Sequence, residues 1–167
     1  QKDYGIHHYV WYFTSADSLL KYSKAPVIHT YDDAGIYPIK LIAYSTYGNC
    51  VSERIHTVEV WDKPKSDFTV GTVCENNPVT FINKSVKAES YSWSVDSLFS
   101  SEVNPDYTFT HTGSTLVTLI AQNENGCTDS KTKAIWVNKL PNLDFNITNQ
   151  CEHVPVNINN NSTGDSP

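Results

Sequence analysis

Apolar residues along this chain recur at every second position or in short runs, and each run stops at a cluster of Gly, Asn, Pro or Ser. That pattern predicts strands joined by tight turns. The clearest run, Leu116, Val117, Leu119, Ile120 and Ala121, ends at Asn123-Glu124-Asn125-Gly126 with Cys127 just beyond it. It reads as a buried strand closing into a hairpin, with a cysteine at the mouth of the turn. That strand is expected over 115–122, with others over 67–70, 79–83, 90–95, 107–110 and 132–137. No stretch carries a convincing amphipathic helix. Residues 17–22 fit one helical turn at most, where the matching stretch further along reads as a loop.

The pattern repeats. Ile39-Lys40-Leu41-Ile42-Ala43-Tyr44 runs through Ser45-Thr46-Tyr47-Gly48-Asn49 into Cys50, in the same order of strand, turn and cysteine. Pro64, Asp67, Phe68, Cys74, Pro78, Val79, Phe81, Asn83 and Ser85 return 77 residues later as Pro141, Asp144, Phe145, Cys151, Pro155, Val156, Ile158, Asn160 and Ser162. A similar shift relates Tyr9-Val10-Trp11 to Tyr91-Ser92-Trp93. The chain is therefore a tandem repeat. Residues 63–137 make one complete unit, 1–61 the C-terminal half of a unit before it, and 138–167 the N-terminal half of a third. The natural protein is expected to extend in both directions.

About seven short strands per unit, with a tryptophan on the third, indicate an immunoglobulin-like sandwich centred on that tryptophan. Trp11, Tyr31, Trp93 and Phe109 fall on repeated strand positions and are expected in the cores, whereas Tyr12, Tyr44 and Tyr47 alternate outward or sit in turns. The order Trp, polar loop, then His29-Thr30-Tyr31-Asp32-Asp33-Ala34-Gly35-Ile36-Tyr37-Pro38-Ile39-Lys40-Leu41 resembles the PKD domain, whose repeats carry HxY, a short gap and GxYxVxL. Residues 107–119 match more loosely. Val73-Cys74-Glu75 and Asn125-Gly126-Cys127 are similar to the cysteine-bearing PKD repeats of exported Bacteroidota surface proteins. The family's Trp-Asp-Phe-Gly-Asp-Gly hairpin is replaced here by Trp11-Tyr12-Phe13-Thr14-Ser15-Ala16 and Trp93-Ser94-Val95-Asp96-Ser97-Leu98. The resemblance implies an all-β chain of tandem immunoglobulin-like (PKD-type) sandwich units. Short proline-bearing linkers predict a stiff, rod-like string of them.

Composition agrees with export. The 167 residues hold four cysteines, ten tyrosines and no methionine, at a net charge of −6 without a Lys/Arg cluster. That balance argues against nucleic acid or an anionic membrane as partner. No apolar stretch is long enough to span a bilayer, and no signal peptide opens the chain.

Candidate chemistry is sparse. His7-His8 lacks the companions of a metal motif, Asp32-Asp33 is too short for a calcium cage, and no Gly-x-Ser-x-Gly elbow or paired acid is present. Neither enzyme activity nor a cofactor is expected. Asp17-Ser18-Leu19 and Asp96-Ser97-Leu98 look like the short O-glycosylation acceptor of exported Bacteroidota proteins, which makes Ser18 and Ser97 candidates. Asn83, Asn146 and Asn161 fit the eukaryotic N-glycosylation acceptor, which has no meaning in a bacterial protein.

The cysteines allow two schemes. One pair per unit suggests a Cys74–Cys127 disulfide, worth about 2–4 kcal/mol. Strand order instead puts the A–B and F–G turns at opposite ends of a sandwich, so that Cys50, Cys74, Cys127 and Cys151 each bridge to a neighbouring repeat outside these residues.

The function expected is structural and adhesive, in a secreted or cell-surface protein of the gliding and adhesin type exported by type IX secretion. Its partners would be neighbouring repeats and extracellular glycans or a cell-surface protein. The alternative is a set of accessory modules, spacer or carbohydrate-binding, in a secreted hydrolase. For a rod of this kind, Thr115, Thr118, Lys131 and Lys133 are expected to face solvent.

Overall fold

A computed structural model describes residues 5–46, 50–96, 98–148 and 151–164. All of its regular structure is β, in two compact units, Gln1–Asp62 and Lys63–Pro167.

The first unit is one antiparallel sheet. Strand β1 (Ile6–Tyr12) lies between β2 (Ser18–Lys21) and β3 (Gly35–Ser45), and β3 pairs along its length with β4 (Val51–Val60) at the far edge. The helical turn expected over 17–22 is not there. Leu19 and Leu20 instead sit opposite Trp11 and Val10 in β2, because a four-residue strand gains its ladder from β1 whatever its intrinsic preference. The turn before it needs no glycine. Thr14 Oγ1 accepts the amides of Ala16 and Asp17, and the Phe13 amide donates to the Asp17 carbonyl.

The second unit begins with short strands, β5 (Phe68–Thr69), β6 (Val73–Cys74), β7 (Pro78–Thr80) and β8 (Ile82–Asn83). It continues with β9 (Ser90–Val95), β10 (Leu98–Ser100), β11 (Asp106–Thr108), β12 (Gly113–Gln122) and β13 (Thr128–Asn138). One sheet runs β10-β9-β12-β13-β6, with β6 parallel to β13; the pairs β5–β8 and β7–β11 form the facing layer. This is an immunoglobulin-like sandwich. Its core joins both layers through Phe68, Val73, Phe81, Trp93, Val95, Phe109, Val117, Leu119 and Val137. A last pair, β14 (Phe145–Ile147) with β15 (Ile158–Asn160), ends the described chain.

The alternation along β12 places Thr115 with Val117, Leu119 and Ala121 on the inner face. Thr115 is thus buried, contrary to the solvent-facing position expected, and its hydroxyl is satisfied by His111 Nε2 at 2.9 Å. Lys131 is exposed, while Thr118 and Lys133 are half-buried.

Candidate functional site

Trp93 is the centre of the second unit. At 1% exposure it is held edge-on by Phe68, ring centroids 5.2 Å apart, and tilted against Phe81 at 5.7 Å. Its indole Nε1–H donates to the Glu102 carbonyl at 2.9 Å, which satisfies the one polar group on a ring otherwise wrapped in hydrocarbon. Phe109 is fully buried against Phe81 and Tyr107. These aromatics fill the space between the layers.

In the first unit the matching positions are less covered. Trp11 and Tyr31 are half-buried. Phe13 stacks on His29 at 4.1 Å, His29 meets Tyr31 edge-on, and Tyr31 stacks on Tyr37 at 4.0 Å. Asp17 approaches His29 Nδ1 at 3.4 Å. The Tyr31 hydroxyl oxygen is buried without a hydrogen-bond partner, and desolvation pushes its pKa up, with Tyr37 and Asp17 adding to the effect.

One constellation in the second unit has the residue types of a nucleophile relay. His111 Nε2 bonds Thr115 Oγ1 and lies 4.0 Å from Asp96 Oδ2. A relay needs the acid on one ring nitrogen and the nucleophile on the other, whereas here both meet Nε2, and Thr115 is sealed in the core. The group pins the start of β12.

Beside it lies an apolar cavity of about 150 Å³ lined by Phe81, Trp93, Leu98, Phe99, Pro105 and Tyr107. Sites for small molecules run to roughly 300–1,000 Å³, so this one takes a single side chain or the edge of one ring. Phe99 at its mouth is 78% exposed. Tyr107 donates to Asp96 Oδ2 at 3.2 Å, and Thr80 donates to Asp106 Oδ1 at 2.5 Å. Burial first, then Asp96, raise the pKa of Tyr107. Sequence reasoning passed over this cavity; its only signal was the apolar pair Leu98-Phe99 inside an otherwise polar stretch.

Among the described residues no three His, Cys, Asp or Glu side chains gather as a metal site. His7 and His8 are neighbours on β1 with their Nδ1 atoms 2.8 Å apart, and Asp32 and Asp33 are exposed ahead of β3. Ser18 is exposed at the start of β2; Ser97 and Tyr47 lie outside the described residues. Tyr12 and Tyr44 are half-buried.

Cys74, Cys127 and Cys151 are free thiols. Register rules out the pair within one unit. Cys74 is opposite Asn138 at the end of β13, whereas Cys127 immediately precedes the first residue of that 11-residue strand. At about 3.3 Å per residue the two are roughly 35 Å apart, far beyond the 4.4–6.8 Å of a disulfide's Cα atoms. The register therefore does not allow a Cys74–Cys127 disulfide.

No family model matches the chain, and no curated protein matches it. Among solved structures, the chain is similar to the PKD1 domain of Vibrio anguillarum Epp, with 27% identity and a TM-score of 0.42 over 46% of this chain and 94% of that one. It is also similar to the PKD1 domain of the Vibrio cholerae metalloprotease PrtV, with 26% identity and a TM-score of 0.41 over 46% of this chain and 98% of that one. A third likeness, to the fibronectin(III)-like modules of Clostridium thermocellum CbhA, has 13% identity and a TM-score of 0.39 over 83% and 82% of the two chains.

Proposed function

We propose that this chain is a non-catalytic structural and adhesive segment of a large secreted or cell-surface protein, of the gliding and adhesin type that Bacteroidota export by type IX secretion. The observation that carries the reading is the hairpin of residues 142–163, which rebuilds the hairpin of residues 65–86. The amide of Asp67 donates to Ser85 Oγ and that of Asp144 to Ser162 Oγ; Ser85 and Ser162 donate back to the same aspartates' carbonyls. Asn76 and His153 take the same left-handed turn conformation, at φ 59° and 65°. A chain that remakes one module acts through spacing and surface, since its copies share one framework and display different exteriors. Residues 1–61, 63–137 and 138–167 are then part, whole and part of successive modules. Cys74 and Cys127, at opposite ends of β13, are placed for cross-links to neighbouring repeats. Ser18 and Ser97 serve as O-glycan acceptors, and extracellular glycans or a cell-surface protein are the adhesion partners.

A second reading, a carbohydrate-binding accessory module of a secreted hydrolase, is favoured by exposed Phe99 beside the cavity. Retention of the purified chain on immobilised polysaccharides and on intact cells separates the two. Binding to polysaccharide that Phe99→Ala abolishes supports the accessory module; binding to cells that survives Phe99→Ala supports the adhesin.

A further inference from the structure

The sheet β10-β9-β12-β13-β6 has two faces of opposite chemistry. Its inner face packs Trp93, Val117, Leu119 and Val137 into the core, and the charged side chains of β13 alternate to that same side. There Asp129 accepts the Ser66 amide and Lys133 pairs with Asp67. The outer face has thirteen positions on β9, β12 and β13, none of them charged and eight of them Ser or Thr. A well-solvated surface mixes in about 25–35% charged residues. Solubility therefore does not account for a face without any.

Register sets these residues in rows. Ser94, Thr118 and Thr132 lie side by side across the three strands, followed by Ser92, Ile120 and Ser130. In the other direction Leu116 lies opposite Ala134, and Ser114 opposite Trp136. The rows repeat about every 6.6 Å along a strand, and neighbouring strands lie about 4.8 Å apart. Thr118 and Thr132 bond each other through their hydroxyls at 2.9 Å, which fixes both side chains. Such short side chains have little freedom to lose on binding. Three large apolar side chains stand among them: Trp136 is 66% exposed, Leu116 65% and Ile120 42%.

These properties suit one class of partner. A neutral polysaccharide presents hydroxyl edges, which pair with fixed Ser and Thr hydroxyls, and C–H faces, which settle on the electron-rich face of an exposed indole. The face carries no charge with which to hold an anionic glycan, a nucleic acid or a lipid headgroup. A protein partner fits poorly. Two strand intervals by the length from Ser114 to Gln122 give roughly 260 Å². That is a third of the about 800 Å² that each side of a standard protein interface buries, and serine is depleted in such interfaces.

We propose that the outer face of β9-β12-β13 binds a neutral polysaccharide, with Trp136 as the stacking platform and Ser92, Thr118, Ser130 and Thr132 as hydroxyl partners. All three strands are interior to the sandwich of residues 63–137, each paired on both sides. The face shares no residue with the cavity of Phe99. The proposal rests on the reading of extracellular glycans as partners and gives that reading a surface.

Co-sedimentation of the 167-residue chain with cellulose, chitin, curdlan and raw starch, and with calcium alginate as the anionic control, tests it. The expected result is retention on at least one of the four neutral polymers and none on alginate. Retention stays constant from about 0.05 to 1 M NaCl, since no ion pair is involved. Trp136→Ala and Ser130→Glu each lower it about tenfold or more, whereas Lys131→Gln, on the opposite side of β13, leaves it unchanged. The substituted positions are exposed, and an unchanged urea transition of the second unit verifies the fold of each variant. Retention that both face variants keep and Phe99→Ala abolishes assigns the glycan to the cavity; it overturns this proposal and leaves the glycan reading in place. No retention on any neutral polymer, or retention that NaCl abolishes, overturns it as well, and binding to intact cells then decides the proposed function on its own.

Discussion

Replacing Trp93 by alanine probes the centre of the second unit most severely. The side chain is 99% removed from solvent, touches Phe68 and Phe81, and donates its indole N–H to the Glu102 carbonyl. Truncating a buried Trp or Phe to alanine costs about 3–5 kcal/mol in lost burial and residual cavity. A unit of this size holds roughly 0.05–0.15 kcal/mol per residue, or about 4–11 kcal/mol over residues 63–137. The substitution therefore removes about a quarter or more of its stability. Trp93→Phe refills most of the space and leaves the Glu102 carbonyl without its donor, at about 1 kcal/mol. Trp11→Ala, at a half-buried site, costs about half as much as Trp93→Ala. Urea unfolding followed by far-UV circular dichroism, which does not depend on indole fluorescence, measures all three at micromolar concentration. A Trp93→Ala cost below about 1 kcal/mol, or a larger cost at Trp11, refutes the assignment of Trp93 as the packing centre.

Three further outcomes are expected. The hydrogen bond from Lys133 and the Phe68 amide hold the Asp67 carboxyl below its ordinary range; the stabilisation is full above a pH of about 4 and lost as pH falls through the lower folded value. Asp67→Asn should therefore flatten the acid limb of the urea midpoint, and an unchanged limb counts against the pair. Gly113 sits at φ 106° with open space where a Cβ would stand, so Gly113→Ala costs about 1–2 kcal/mol through backbone strain alone, read from the same urea transition. Peptide mapping of the oxidised monomer should find no Cys74–Cys127 link, because β13 separates the two; recovery of that link would contradict the register.

Much of the fold was legible where pattern and packing agree. Residues 90–95 alternate cleanly and form β9 as expected, and the long apolar run of β12 ends at the Asn123–Gly126 turn. What escaped depended on partners distant in sequence. Ser18-Leu19-Leu20-Lys21 has no periodicity of its own and became a strand through β1. Thr115 looked like surface because it is polar, and His111 makes it affordable inside. Phe81 interrupts its strand between β7 and β8, where its amide turns to the Pro105 carbonyl. The cavity at Phe99 was hidden because it is built from β9, β10 and the approach to β11, which no local pattern connects.

On the proposed function, this chain holds surfaces together without transforming them. The measurement that tests it most directly incubates the purified chain with polysaccharides, proteins and intact cells, and scores retention and product formation in the same samples. Retention on at least one surface with no new reducing ends, amino termini or released acyl groups is the predicted result. Turnover of any of these substrates that follows the chain through purification, and is lost on substituting one of its own ionisable side chains, would contradict it.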